Sequence, residues 1–162
     1  MALGFPESAQ KRVAATVRLY PDKQAALLPL LHIAQKEFGE LTTEVQDLVA
    51  ATLELPPSHV YGVVTFYTMF HQHKTGRYEL MVCTNVSCML KGGYDILAHL
   101  ERRLGIRVGQ TTADGLFTLV EEECLAACCD APMMVCGDDY HMRLDAQKVD
   151  QILDQLRKQA SA

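Results

Sequence analysis

Cys83 and Cys88 have four residues between them, and Cys124 and Cys128 have three, so the chain carries two closely spaced thiol pairs. Thiolate sulfur is soft and electron-donating, and four such groups suit zinc or an iron-sulfur cluster; tetrahedral sulfur alone does not separate the two. Spacing does more. Zinc knuckles favour Cys-x2-Cys repeats, whereas plant-type [2Fe-2S] proteins open with Cys-x4-Cys, the gap between Cys83 and Cys88. On residues alone the reading favours [2Fe-2S], with zinc or free redox-active thiols as the alternatives.

The surrounding sequence predicts how the pairs are held. Tyr78, Leu80 and Val82 alternate with Arg77, Glu79 and Met81, so the first pair brackets a loop at the end of a strand over 77–83. The second loop, Cys124-Leu125-Ala126-Ala127-Cys128-Cys129, is small and apolar, which lets backbone fold closely around a metal and exclude water. After 77–83 the order reads helix, strand, strand, helix. A helix through Ile96, Leu97, Leu100 and Leu104 stops at Gly105, and the Asp114-Gly115 turn leads to a strand at 117–120. A hairpin pairs 133–136 with 140–144 around Gly137, and Asp145 caps a last helix carrying Val149, Ile152, Leu153 and Leu156.

Ahead of this part the period is helical. A helix is expected over 8–19. Asp22 caps a second one that carries Leu27, Leu30, Leu31, Ala34 and Phe38, is bent by Pro29 and ends at Gly39. Thr43 with Gln46 resembles a capping box, and Ser58 starts a short helix after Pro56-Pro57. The change of period after His71-Gln72-His73-Lys74-Thr75-Gly76 places the boundary between a helical bundle at 1–75 and a mixed part at 76–162.

Composition sets bounds. With 49% hydrophobic and 22% charged residues the chain is ordinary for a globular protein, and its net charge of -5 speaks against nucleic acid, whose phosphates need a basic surface. No apolar run approaches the length of a membrane span, and the start lacks the regions of a signal peptide. Direct membrane insertion is not expected. Six cysteines allow three disulfides, yet this length supports a core without staples. Cys129 and Cys136 read as small hydrophobes rather than ligands. The six histidines are scattered, with only His71 and His73 close together, in a surface loop. The apolar stretch from Val63 to Phe70 is either packing between the two parts or a partner surface. No glycine-rich dinucleotide loop follows a strand, and Gly92-Gly93 is too weak a sign of phosphate binding.

Taken together, Gly62-Val63-Val64-Thr65-Phe66-Tyr67, Cys83 through Cys88-Met89-Leu90-Lys91-Gly92, Asp114-Gly115-Leu116-Phe117 and Glu123-Cys124-Leu125-Ala126-Ala127-Cys128 with Ala131-Pro132 resemble the E-subunit family of NADH:quinone oxidoreductase (respiratory complex I). The resemblance implies an α+β chain, an N-terminal helical bundle followed by a thioredoxin-like [2Fe-2S] ferredoxin domain. It implies one [2Fe-2S] cluster on Cys83, Cys88, Cys124 and Cys128, with Cys128 chosen over Cys129 by the family's spacing. It implies no catalytic residue of the chain's own. FMN and NADH would sit on a flavin-bearing NADH-binding partner, beside a larger iron-sulfur subunit. The location implied is a peripheral arm of a membrane-associated complex on the cytoplasmic side, or the matrix side in mitochondria. An equivalent diaphorase subunit of an NAD-linked hydrogenase or formate dehydrogenase is the alternative, and a zinc-stabilised interaction module a further one.

Overall fold

Seven α-helices and one four-stranded sheet organise the residues that the computed structural model describes, 3–161. They fall into two compact units that divide between Lys74 and Thr75.

The first unit is helical: α1 is Glu7–Arg18, α2 Leu27–Phe38, α3 Thr43–Leu53 and α4 Pro57–Phe66. Apolar side chains at helical spacing, among them Val13, Leu30, Leu31, Val49, Leu53 and Val64, close its core. The helix starts differ from the sequence expectation in three places. Asp22 does accept the Ala25 N–H at 2.9 Å, but it starts a 3-10 turn, Gln24–Ala26, and α2 begins only at Leu27. Pro29 therefore lies in the first turn of α2, where its missing N–H has no helical acceptor to lose. Thr42 rather than Thr43 caps α3, its Oγ1 accepting the Val45 N–H at 3.4 Å. Gln46 is buried and donates to the Leu41 carbonyl at 2.7 Å instead of closing a capping box. Pro57 is the first residue of α4, where a fixed φ suits helix entry, so Ser58 lies inside the helix. The stretch 63–70 divides by face: Val64 and Phe70 join this unit's core, while Phe66, Tyr67 and Met69 are exposed.

The second unit carries β1 Tyr78–Cys83, α5 Val86–Leu90, α6 Gly93–Leu104, β2 Phe117–Glu122, β3 Met134–Cys136, β4 Asp139–His141 and α7 Ala146–Ser161. The sheet order is β2-β1-β3-β4, with β1 and β2 parallel and the other pairings antiparallel. A parallel pair needs a long crossover, and α6 supplies it. Leu80 and Val82 point to one face of β1 and pack with Ile96, Leu100, Val149 and Leu153 of α6 and α7. Met81 and Cys83 point to the other, against Met133 and Val135.

Gly105, with φ +69°, ends α6 as its position predicts, and Asp145 Oδ1 accepts the Lys148 N–H at 2.8 Å to cap α7. The strand expected over 140–144 stops at His141. Arg143 adopts φ +50°, which turns the chain out of the sheet, and the Leu144 N–H bonds the Pro132 carbonyl at 2.9 Å instead of extending the hairpin. No described helix is long and apolar enough to cross a membrane.

Candidate functional site

Parallel register decides where the two cysteine loops begin. Cys83, the last residue of β1, lies opposite Glu122, the last of β2, so both loops leave the sheet at the same end. The strands' exits are tied together. The Thr84 N–H donates to the Glu122 carbonyl at 3.1 Å, and Thr84 Oγ1 donates to Glu121 Oε1 at 2.8 Å. On the other side the Cys83 N–H donates to the Met133 carbonyl at 3.2 Å, which brings the chain just beyond the second loop against the first ligand candidate.

The first loop turns immediately into α5. Asn85 caps it, its Oδ1 accepting the Val86 N–H at 2.7 Å, and the single turn that follows buries Cys88. Lys91 and Gly92 close back on the carbonyls of Cys88 and Met89, and Gly92 takes φ +92° to start α6. Gly93 then passes against the loop. A Cβ placed on it would lie 2.9 Å from the Cys88 carbonyl oxygen and 3.0 Å from that of Cys83. In sequence this glycine is no more than a weak phosphate signal, whereas its role in the fold is to let α6 approach the backbone of both cysteines.

In the second loop Cys124 and Cys128 are exposed. Ala126 between them adopts φ +61°, and its N–H donates to Cys124 Sγ at 3.4 Å. Cys128 opens a 3-10 turn, Cys128–Asp130, closed by the Asp130 N–H on the Ala127 carbonyl at 3.0 Å. Burial, followed by a hydrogen bond with Cys83, pushes the Cys88 thiol up to about 11, and charge on Cys83 and Cys128 adds to the rise. At neutral pH the Cys88 proton must be displaced by any metal that binds there. Among the described residues no group of three or more His, Cys, Asp or Glu side chains converges closely enough to hold a metal ion; Cys83 and Cys88 are buried, whereas Cys124 and Cys128 are exposed.

The donors fit an iron-sulfur group chemically. Four thiols are presented by two loops at one sheet end, with apolar Met133, Val135, Leu125, Ala127 and Ala131 about the buried pair, and a backbone N–H already bonds one sulfur. The remaining cysteines do not join them. Cys136 is buried in β3, and burial, then the charges of Asp139 and Glu79, raise its thiol above the ordinary value, as for an inert small hydrophobe. Cys129, expected as a small hydrophobe, is instead exposed, and its thiol donates to Asp130 Oδ2 at 3.4 Å. His71 is half-buried in a loop tied by its backbone to Leu41 and Gln35, while His73 is exposed.

Comparison with known proteins points the same way. Residues 13–157 match the model of the thioredoxin-like [2Fe-2S] ferredoxin family. An NADH-quinone oxidoreductase E subunit of Rhizobium meliloti (strain 1021) is 49% identical over 148 residues, covering 91% of this chain and 88% of that protein. The mitochondrial NADH dehydrogenase [ubiquinone] flavoprotein 2 of Dictyostelium discoideum is 40% identical over 156 residues, covering 94% of this chain and 63% of that one. Among solved structures, an NAD+-reducing [NiFe]-hydrogenase in its H2-reduced state superposes with a TM-score of 0.73 at 26% identity; the match covers 82% of this chain but only 22% of the hydrogenase chain. A family model that spans most of the sequence, joined to relatives aligned over most of their own length, establishes that this chain belongs to the thioredoxin-like [2Fe-2S] ferredoxin family, among the E subunits of NADH-quinone oxidoreductases.

Proposed function

We propose that the chain is the electron-transfer subunit of the NADH-oxidising module of an NADH:quinone oxidoreductase, holding one [2Fe-2S] cluster on Cys83, Cys88, Cys124 and Cys128. The observation that carries this reading is the parallel register of β1 with β2, which launches both cysteine loops from one end of the sheet. A bound [2Fe-2S] cluster supplies one-electron redox capacity. The chain's own groups set the conditions. The buried apolar side chains around Cys83 and Cys88 exclude water and make added negative charge costly, which lowers a reduction potential. Glu121, Glu122 and Glu123 at the β2 exit act in the same direction. The Ala126 N–H directed at Cys124 Sγ opposes them by stabilising negative charge on sulfur.

On this reading NADH and FMN belong to a flavin-bearing partner, with a larger iron-sulfur subunit in the same module, and the chain works in a peripheral arm on the cytoplasmic or matrix side of a membrane. The chain divides into an N-terminal helical bundle, 1–75, and a thioredoxin-like cluster domain, 76–162. A second reading, an equivalent diaphorase subunit of an NAD-linked hydrogenase, draws on the superposition with the hydrogenase chain. The higher identity to the Rhizobium relative favours the first.

The division of labour predicts that the purified chain alone does not oxidise NADH. In a dye-reduction assay the rate should equal the protein-free background. It should rise only when the flavin-bearing partner is added, and NADH-dependent turnover by the partner-free chain would contradict the proposal.

A further inference from the structure

We propose that Arg143 is a positioning residue that holds the second cysteine loop in the shape that presents Cys124 and Cys128 as ligands; this rests on the ligand set proposed above. Asp130 closes the 3-10 turn that Cys128 opens, so whatever fixes Asp130 fixes the turn. Arg143 bonds it from both main chain and side chain. Its N–H donates to the Asp130 carbonyl at 2.8 Å, while Nε at 2.8 Å and Nη2 at 2.7 Å both donate to Asp130 Oδ1. The next residue continues the attachment, Leu144 N–H on the Pro132 carbonyl at 2.9 Å.

Arg143 is itself anchored from behind. Lys148, in the first turn of α7, extends Nζ to the Arg143 carbonyl at 2.8 Å, and its N–H is held by the capping carboxylate of Asp145. A mechanical line thus runs from the start of α7 through Arg143 and Asp130 to the turn bearing Cys128. The backbone of Arg143 is strained, since φ +50° is a region that glycine enters freely and a side chain disfavours. Such a conformation persists where its surroundings over-determine it, and it is kept here with an arginine rather than relieved by glycine. Ala126, inside the loop being held, carries the same kind of strain at φ +61°.

The bland alternative is an exposed ion pair of little consequence, and an isolated surface pair contributes little. Here the pair is added to a backbone bond between the same two residues and stands two positions from a ligand. Loss of the guanidinium should therefore be felt at the cysteines more than in global stability. Nothing in the sequence signals this clamp, because the partners are thirteen residues apart with no local pattern linking them.

The test uses the full chain purified anaerobically, as parent, Arg143→Gln and Arg143→Lys. Iron release to the chelator bathophenanthroline, the reduced paramagnetic spectrum and the melting temperature are measured on each. Arg143→Gln should release iron about tenfold faster or more, the usual scale for removing a group that orients a ligand, with an altered spectrum and a melting temperature close to the parent's. Arg143→Lys, which keeps the charge and one donor, should recover part of the loss. If Arg143→Gln does not fold, Arg143→Lys against the parent decides. Parent-like release with an unchanged spectrum contradicts this proposal alone, whereas a parent that holds neither iron nor sulfide contradicts the ligand set and this proposal with it.

Discussion

Cys128→Ser should lose the cluster while Cys129→Ser keeps it, although the two residues are neighbours. Cys128 opens the 3-10 turn, while the Cys129 thiol is turned to Asp130 Oδ2 at 3.4 Å. A serine hydroxyl is harder and far less readily ionised than a thiol, so it replaces a thiolate poorly. Occupancy in Cys128→Ser should fall to about a tenth of the parent's or less, read as iron and sulfide per chain. In Cys129→Ser both occupancy and the reduced paramagnetic spectrum should match the parent. The reverse pattern would show that the ligand is Cys129.

Gly93→Ala should damage the site although it replaces no ligand. The added methyl would meet the Cys88 carbonyl oxygen at 2.9 Å and the Cys83 carbonyl oxygen at 3.0 Å, both backbone atoms in a tight turn with no rotamer to yield. Overpacking of this kind costs about 1–3 kcal/mol. The strain falls on the first ligand loop, so cluster occupancy should drop together with the melting temperature. Gly62→Ala is the control, because a Cβ there meets nothing within 4 Å and alanine favours the helix in which it lies. Equal behaviour of the two variants would contradict the close-approach role assigned to Gly93.

Much of the fold is legible in residue patterns. The alternation at Tyr78, Leu80 and Val82 marks β1, the helical spacing of Ile96, Leu97 and Leu100 marks α6, and Gly105 and Asp145 end and begin helices where their chemistry predicts. The misplaced boundaries turn on choices between equivalent neighbours. Thr42 and Thr43 have the same capping group, and only the extended conformation of Thr42, ψ 166°, decides between them. The early end of β4 is invisible in sequence because Arg143 is a poor candidate for positive φ, and its bonding partner Asp130 lies thirteen residues away. The same holds for the site. The cysteine spacing points to the chemistry, but parallel register, the Thr84 to Glu121 bond and the Gly93 approach are long-range facts that no short motif encodes.

Iron, acid-labile sulfide and zinc measured on the anaerobically purified chain, with a paramagnetic spectrum after reduction, test the central claim most directly. About two irons and two sulfides per chain are expected, with little zinc and the signal of one reduced [2Fe-2S] cluster. Stoichiometric zinc with no signal on reduction would contradict the claim.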